Sequence, residues 1–280
     1  MRLILLTALA MVAFAANSVL ARLAFATGDA EPMSYTGIRL AAGAVTLALL
    51  LLVRREPLRL AGSWAGAAAL FGYATLFSIA YVLLGAGTGA LILFASVQIG
   101  ILGWAVYRGD RPGLLEWLGL AIAFAALIYL VSPGLVAPHP LGALLMVISG
   151  LCWAAYTLIG RGSSAPLADT AGNFIRCLPV ALVLLLAGAT MHGVAPLAAL
   201  YAIASGALAS GVGYAIWYSV LPRLTRTRAA IVQLTVPAVA ATGGVLLINE
   251  LLTPRLVIAS IGIIGGVAFA LVTASRRSSR

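Results

Sequence analysis

Phe14-Ala15-Ala16-Asn17-Ser18, with Arg22 beyond it, returns as Trp153-Ala154-Ala155-Tyr156-Thr157, with Arg161 beyond it: an aromatic, two alanines, a hydroxyl and an arginine at the same spacing, 139 residues apart. The correspondence extends in both directions along the chain. Arg39 follows Pro32 by seven residues and Arg176 follows Pro166 by ten, and Gln98 stands opposite Pro237 at the same 139-residue offset. The pairs Gly109-Asp110 and Asn249-Glu250 close equivalent apolar runs. The chain therefore reads as two copies of one unit, residues 1–135 and 136–280, and such self-similarity outranks any local signal in deciding the fold.

Each copy is built for lipid. Hydrophobic residues make up 63% of the chain and charged residues 9%, with a mean hydropathy of +1.11, too apolar for a protein whose surface is wet. Cutting at arginine, glycine, proline and acidic clusters leaves ten apolar runs: 3–25, 33–53, 63–84, 87–107, 114–132, 140–160, 168–189, 195–221, 229–248 and 255–274. A spanning helix takes about 20 residues, so these runs predict ten transmembrane helices and leave no room for a soluble domain. Runs three and four meet at Gly85, Gly87 and Gly89, where a tight turn is required because a single crossing cannot use both. The first run follows Arg2 and contains Ala13-Phe14-Ala15, which imitates a signal-peptidase site. It continues apolar to Phe25 and its residues recur at 153–161, so it is expected to stay as structure. Five helices are an odd number, so the second copy enters the membrane from the opposite side and the fold class is all-α, ten helices in two inverted five-helix repeats.

The net charge of +10 comes from 17 arginines, with no lysine, against seven acids. In a soluble protein that balance suggests nucleic acid; here the positions of the arginines explain it. Arg2, Arg54, Arg55, Arg59, Arg108, Arg111, Arg161, Arg223, Arg226, Arg228, Arg276, Arg277 and Arg280 share one side in a ten-span layout, against Arg22 and Arg255 on the other. Basic residues collect on the cytoplasmic side, so both termini are expected there, in a bacterial inner membrane, with no nucleic-acid partner. Cys152 and Cys177 lie in apolar runs without metal-ligand spacing and read as small core residues.

The segment from Phe14 to Arg22, Pro32 with Arg39, the stretch from Gly89 to Gly109-Asp110 followed by Trp117-Leu118-Gly119, and Ala229 to Asn249-Glu250 together resemble the drug/metabolite transporter superfamily. Within it the chain is similar to the EamA-like ten-helix exporters, including the aromatic amino-acid exporters of the YddG kind. The chain departs from the family pattern at Gln98, where the fourth helix usually carries proline, and in its two glycine-glutamate positions. The resemblance implies that helices 1 to 4 and 6 to 9 surround a central cavity while helices 5 and 10 stand outside. Gly262, Gly265 and Gly266 in the last run give it a face of small residues suited to close packing.

No H-E-x-x-H, no G-x-S-x-G and no cluster of metal ligands occurs; His139 and His192 fall in loops, and all seven acids fall near helix ends or in loops. An enzyme, a metal site and a cofactor are accordingly not expected. A proton-driven carrier usually keeps an ionisable carboxylate or histidine in the membrane, so facilitated efflux down the substrate gradient is the expected mode. Arg39 and Arg176 are the only charges well inside runs. Each lies close enough to its helix start to snorkel to the interface, and each reads either as a fork for a substrate carboxylate or as a brace for its repeat, with bracing favoured by their paired positions.

Asn17, Gln98 and Gln233 are amides that lipid cannot satisfy, so they should turn inward, to bind substrate or to bond a neighbouring helix. Tyr214 and Tyr218 share a face of helix 8 beside Trp217; Trp153 and Tyr156 lie three apart on helix 6; Tyr81 and Tyr73 add aromatics to helix 3. Trp64, Tyr107 and Trp117 read as interfacial anchors. These side chains predict a pocket of aromatic area with few polar groups, suited to small neutral or zwitterionic metabolites, amino acids before drugs, moved by alternating access with broad specificity. Phosphorylated or nucleotide-linked sugars are a rival cargo, using Arg39 and Arg176 for phosphate, and a passive channel is a rival mechanism that demands a continuous polar lining. The expected partners are a small-molecule substrate, the bilayer and, through small-residue faces, a second copy of the chain.

Overall fold

A computed structural model describes residues 1–26, 28, 30–55, 61–109, 112–132, 137–161, 163–192, 194–224, 229 and 232–278, the side chains of 191, 192, 222, 275, 277 and 278 excepted. Among them there is no strand. The helices are α1 (Arg2–Ala26), α2 (Pro32–Val53), α3 (Trp64–Leu83), α4 (Ala86–Tyr107), α5 (Leu114–Val131), α6 (Pro140–Ile159), α7 (Pro166–His192), α8 (Pro196–Val220), α9 (Val236–Ile248) and α10 (Pro254–Ser278). Nine are long and apolar enough to cross a membrane; α9 is a shorter apolar helix. Their starts are written in the sequence. Pro32, Pro140, Pro166, Pro196 and Pro254 each open a helix, where the missing N–H costs nothing, and both oxygens of Glu31 accept from the amides of Met33 and Ser34 to cap α2.

Two runs differ from their sequence-based expectation. The eighth keeps its length but carries a π-helical stretch, Ser205–Val212, between its α-helical ends. The ninth, expected from residue 229, has a turn at Leu234 and Thr235 before α9 starts, one residue ahead of Pro237, whose ring would clash with the turn behind it. The expected glycine turn is shorter than the three glycines suggested: α3 and α4 are joined by Leu84 and Gly85, and Gly87 and Gly89 belong to the first turn of α4.

The principal helix contacts follow the duplication. α1 lies along α8 and α9 as α6 lies along α3 and α4, α2 touches α8 as α7 touches α3, and α2–α7, α4–α9 and α5–α10 pair across the halves. Exchanging helix n for helix n + 5 maps each of these contacts onto itself or onto another. Close approaches are bought with glycine: a Cβ on Gly37 would stand 2.5 Å from the Ala181 carbonyl oxygen, and one on Gly119 would stand 2.6 Å from that of Gly266. Gly262 likewise meets Ala126, whereas a Cβ on Gly265 would meet nothing within 4 Å, so most of the small-residue face of α10 is used inside the chain against α5. Cys152 and Cys177 are free thiols, Cys177 buried with its Sγ against the Ala67 carbonyl.

Candidate functional site

The interface between the halves leaves a narrow cavity, lined by Phe14, Asn17 and Ser18 of α1, Tyr73 and Phe77 of α3, Leu93 and Phe94 of α4, Trp153 of α6 and Tyr214 of α8. The wall therefore contains both copies of the repeated segment, with Phe14 and Trp153 at equivalent positions. Among the described residues, none that lines it comes from α5 or α10. Ring contacts run through the wall: Phe14 to Tyr214 at 5.7 Å between centroids, Tyr214 to Trp153 at 5.4 Å, Trp153 to Tyr73 at 4.7 Å, Tyr73 to Phe77 at 5.4 Å and Phe77 to Tyr81 at 4.6 Å. Such a surface offers quadrupolar faces and apolar area to a bound molecule.

Asn17 supplies the polar point. Buried on α1, its Oδ1 accepts from Ser205 Oγ at 2.8 Å and Ser210 Oγ at 3.3 Å, both in the π-helical stretch of α8. The π turns thereby bring two hydroxyls to one amide, and short π segments frequently mark functional places in helices.

Asn17, Tyr73, Trp153 and Tyr214 are the predicted residues that reach the cavity wall. Tyr156 and Tyr218 form a layer beside it, each phenol 3.4 Å from Thr170 Oγ. Trp217 packs edge-on against Phe14 at 5.8 Å. Tyr81 is fully buried towards one end, its hydroxyl 3.4 Å from the Ala86 carbonyl, and lies outside the lining. Gln98 is buried one turn beyond Phe94 and Gln233 is half-buried, donating to the Ala229 carbonyl at 3.2 Å; neither lines the cavity. Phe14, Ser18, Phe77, Leu93 and Phe94 line it without having been singled out as ligands. For Phe14 and Ser18 the signal was present, since both belong to the repeated segment.

The two interior arginines part company. Arg176 fits the snorkelling expectation: half-buried, it donates to the Ala61 carbonyl and lies 5.6 Å from the centre of the Trp64 ring, at the start of α3. Arg39 contradicts it. Only 2% exposed, its guanidinium crosses to α3, with Nη2 donating to Tyr73 Oη at 3.1 Å and Cζ 4.7 Å and 5.3 Å from the Phe77 and Tyr73 ring centres. The physical reason is that α3 presents two aromatic faces to α2, a cation–π seat worth about 2 kcal/mol once desolvated, against a mid-membrane arginine cost of about 2.5 to 3.5 kcal/mol.

Polar ties flank the cavity at both ends. At one, Arg22 Nε meets Glu250 Oε1 at 3.0 Å, Glu250 Oε2 accepts from the Ala86 amide at 2.8 Å, and Arg22 Nη1 lies 3.4 Å from the Tyr81 carbonyl. At the other, Asp169 accepts from the Gly62 amide and Asn173 from the Ser63 amide, both at 2.9 Å, and Asp169 also holds Ser163 Oγ. Among the described residues no group of three or more histidine, cysteine or carboxylate side chains converges as a metal site would require.

Comparison with known proteins agrees with this architecture. The model of the EamA-like transporter family matches residues 1–132 and again residues 140–272. A relative from Pseudomonas aeruginosa, described as uncharacterized protein PA1977, is 50% identical over 283 residues, covering 100% of this chain and 98% of its own. The Escherichia coli K12 protein described as uncharacterized inner membrane transporter YedA is 32% identical over 173 residues, 56% of this chain and 52% of that relative. A protein known from its crystal structure superposes with a TM-score of 0.65 at 21% identity, covering 96% of this chain and 97% of that one, a likeness of fold. With two copies of the family unit meeting at an aromatic cavity, this chain is a membrane transporter of small molecules and belongs to the EamA-like transporter family.

Proposed function

We propose that the protein exports small neutral or zwitterionic metabolites, amino acids first among them, from the cytoplasm across the bacterial inner membrane by alternating access. The observation that carries this reading is the composition of the cavity wall among the described residues: six aromatic rings and Leu93, with Asn17 and Ser18 as amide and hydroxyl and no carboxylate. Aromatic faces accept apolar and aromatic side chains as well as ammonium groups, while a few polar atoms orient the ligand without enforcing one shape. The halves, residues 1–135 and 136–280, are the two bodies that rock about the cavity. The description of YedA as an inner membrane transporter and the one-sided arginines support the location, with both termini cytoplasmic.

Facilitated movement down the substrate gradient is supported by a wall that, among the described residues, holds no acid to carry a coupling proton. The sugar-phosphate rival loses support because Arg176 is engaged at the start of α3, which leaves Arg39 without a second cation beside it. A passive channel is disfavoured by a wall that is mostly ring. The test is counterflow in proteoliposomes preloaded separately with aromatic, aliphatic, hydroxy and charged amino acids, with and without a pH gradient. Saturable exchange of neutral amino acids that needs no gradient is expected; exchange of none of them would overturn the amino-acid reading.

A further inference from the structure

Among the described residues, Arg39 is unlike the other buried or half-buried arginines. Arg22 pairs with Glu250, Arg255 donates to the carbonyls of Tyr129 and Ser132, and Arg176 donates to that of Ala61, each acceptor lying at or near the end of a helix. Braces of this kind give each guanidinium a carbonyl or carboxylate acceptor. Arg39 has one phenol at Nη2, two ring faces, and an Nη1 that is buried with no hydrogen-bond partner. The charges and phenols around it are Tyr73, Tyr35 and Tyr214, with no carboxylate. The four described acids are occupied elsewhere: Glu31 caps α2, Glu116 lies in the first turn of α5, Asp169 holds Gly62 and Ser163, and Glu250 holds Arg22 and Ala86.

A guanidinium carries five donors in a plane matched to an oxyanion, and a buried one without a counter-charge is a site waiting for an anion. The two rings that seat it, Tyr73 and Phe77, are themselves part of the cavity wall, so one layer of side chain separates Arg39 from the cargo. Resting on the cavity as the cargo site, we propose that Arg39 binds the carboxylate of the cargo, which takes Nη1 and displaces the Tyr73 hydroxyl from Nη2. The transported class is then carboxylate-bearing, amino acids and simple monocarboxylic acids alike. Amines and amides of the same shape are excluded. An amino acid's ammonium group meets the faces of Trp153 and Tyr214, the rings that continue the wall from Tyr73.

The experiment uses the purified full chain and four probes of one shape: phenylalanine, 3-phenylpropionate, phenethylamine and phenylalaninamide. Binding is followed by intrinsic tryptophan fluorescence in detergent and by competition with phenylalanine counterflow. The two carboxylates are expected to bind at least about tenfold more tightly than the amine and the amide, the range given by a charge-assisted hydrogen bond. Arg39→Gln should abolish that gap and Arg39→Lys should narrow it. Thermal inactivation without probe separates anchor from brace: Arg39→Gln should leave the midpoint unchanged or raise it, because it removes an uncompensated buried charge. Amine or amide binding as tight as the acids overturns the proposal, as does acid binding that Arg39→Gln leaves intact, or no acid binding at all. Arg39-dependent binding of 3-phenylpropionate without counterflow of any amino acid would uphold Arg39 as the carboxylate site and sink the amino-acid export reading instead.

Discussion

Asn17 shows how a single amide joins two jobs. It faces the cavity and at the same time is the shared acceptor for Ser205 and Ser210. Interhelical hydrogen bonds of this kind average about 0.6 kcal/mol in membranes and reach about 1.7. Asn17→Leu should therefore cost about 1 kcal/mol of stability in a denaturant titration and reduce transport far more than that loss explains. Equal fractional losses in folded protein and in transport would reduce Asn17 to a structural contact. The sequence disclosed Asn17 because an amide in a long apolar run must face inward, and Trp153 because it shares a helix face with Tyr156; Phe14, its counterpart in the duplicated segment, went unread as a ligand. It did not disclose the fate of Arg39, since snorkelling and burial begin from the same spacing and differ only in what the neighbouring helix offers. Gln98 and Gln233 were traced to the interior by the same rule of polarity and Tyr81 by its aromatic ring, but a helix wheel reports direction and not depth, and all three lie beyond the lining.

Helix boundaries were legible nearly throughout, because prolines and charges punctuate apolar runs. The π-helical stretch Ser205–Val212 was not, since small residues are equally compatible with α turns. Its glycines explain the packing it permits. A Cβ on Gly206 would stand 2.1 Å from the Arg39 carbonyl oxygen, and one on Gly211 would stand 2.8 Å from Thr46 Cγ2. Gly206→Val must push α2 from α8 and is expected to cost about 1 to 3 kcal/mol by overpacking, measured by thermal or denaturant unfolding. Gly265→Val, in the open space on α10, should lie within about 0.5 kcal/mol of the parent. If both variants lost the same stability, glycine's role would be backbone conformation and not close approach.

Over the whole molecule, the one-sided arginines predict the orientation of both termini. A carboxy-terminal fusion to a reporter that works only in the cytoplasm should be active and one that works only in the periplasm inactive; the reverse pattern would invert the topology. The tie at Glu250 predicts a conformational effect. Glu250→Gln removes an ion pair whose partners are about a fifth to a quarter exposed, worth roughly 1 kcal/mol, which shifts a two-state equilibrium about fivefold. In a Cys152→Ala, Cys177→Ala background, a cysteine replacing Ser18 should react several times faster with a membrane-impermeant thiol reagent once Glu250 is neutralised. No change in rate would show that the tie does not hold that end shut. The two ends also differ as engineering. Asp169, Asn173 and Arg176 hold their end through separate residues and separate bonds, so the load is shared and damage to one leaves others in place. Glu250 holds the tail of α1 and the head of α4 with one carboxylate, a single point of failure. Random substitutions should therefore make this transporter leak abruptly through one face and fail only by degrees through the other.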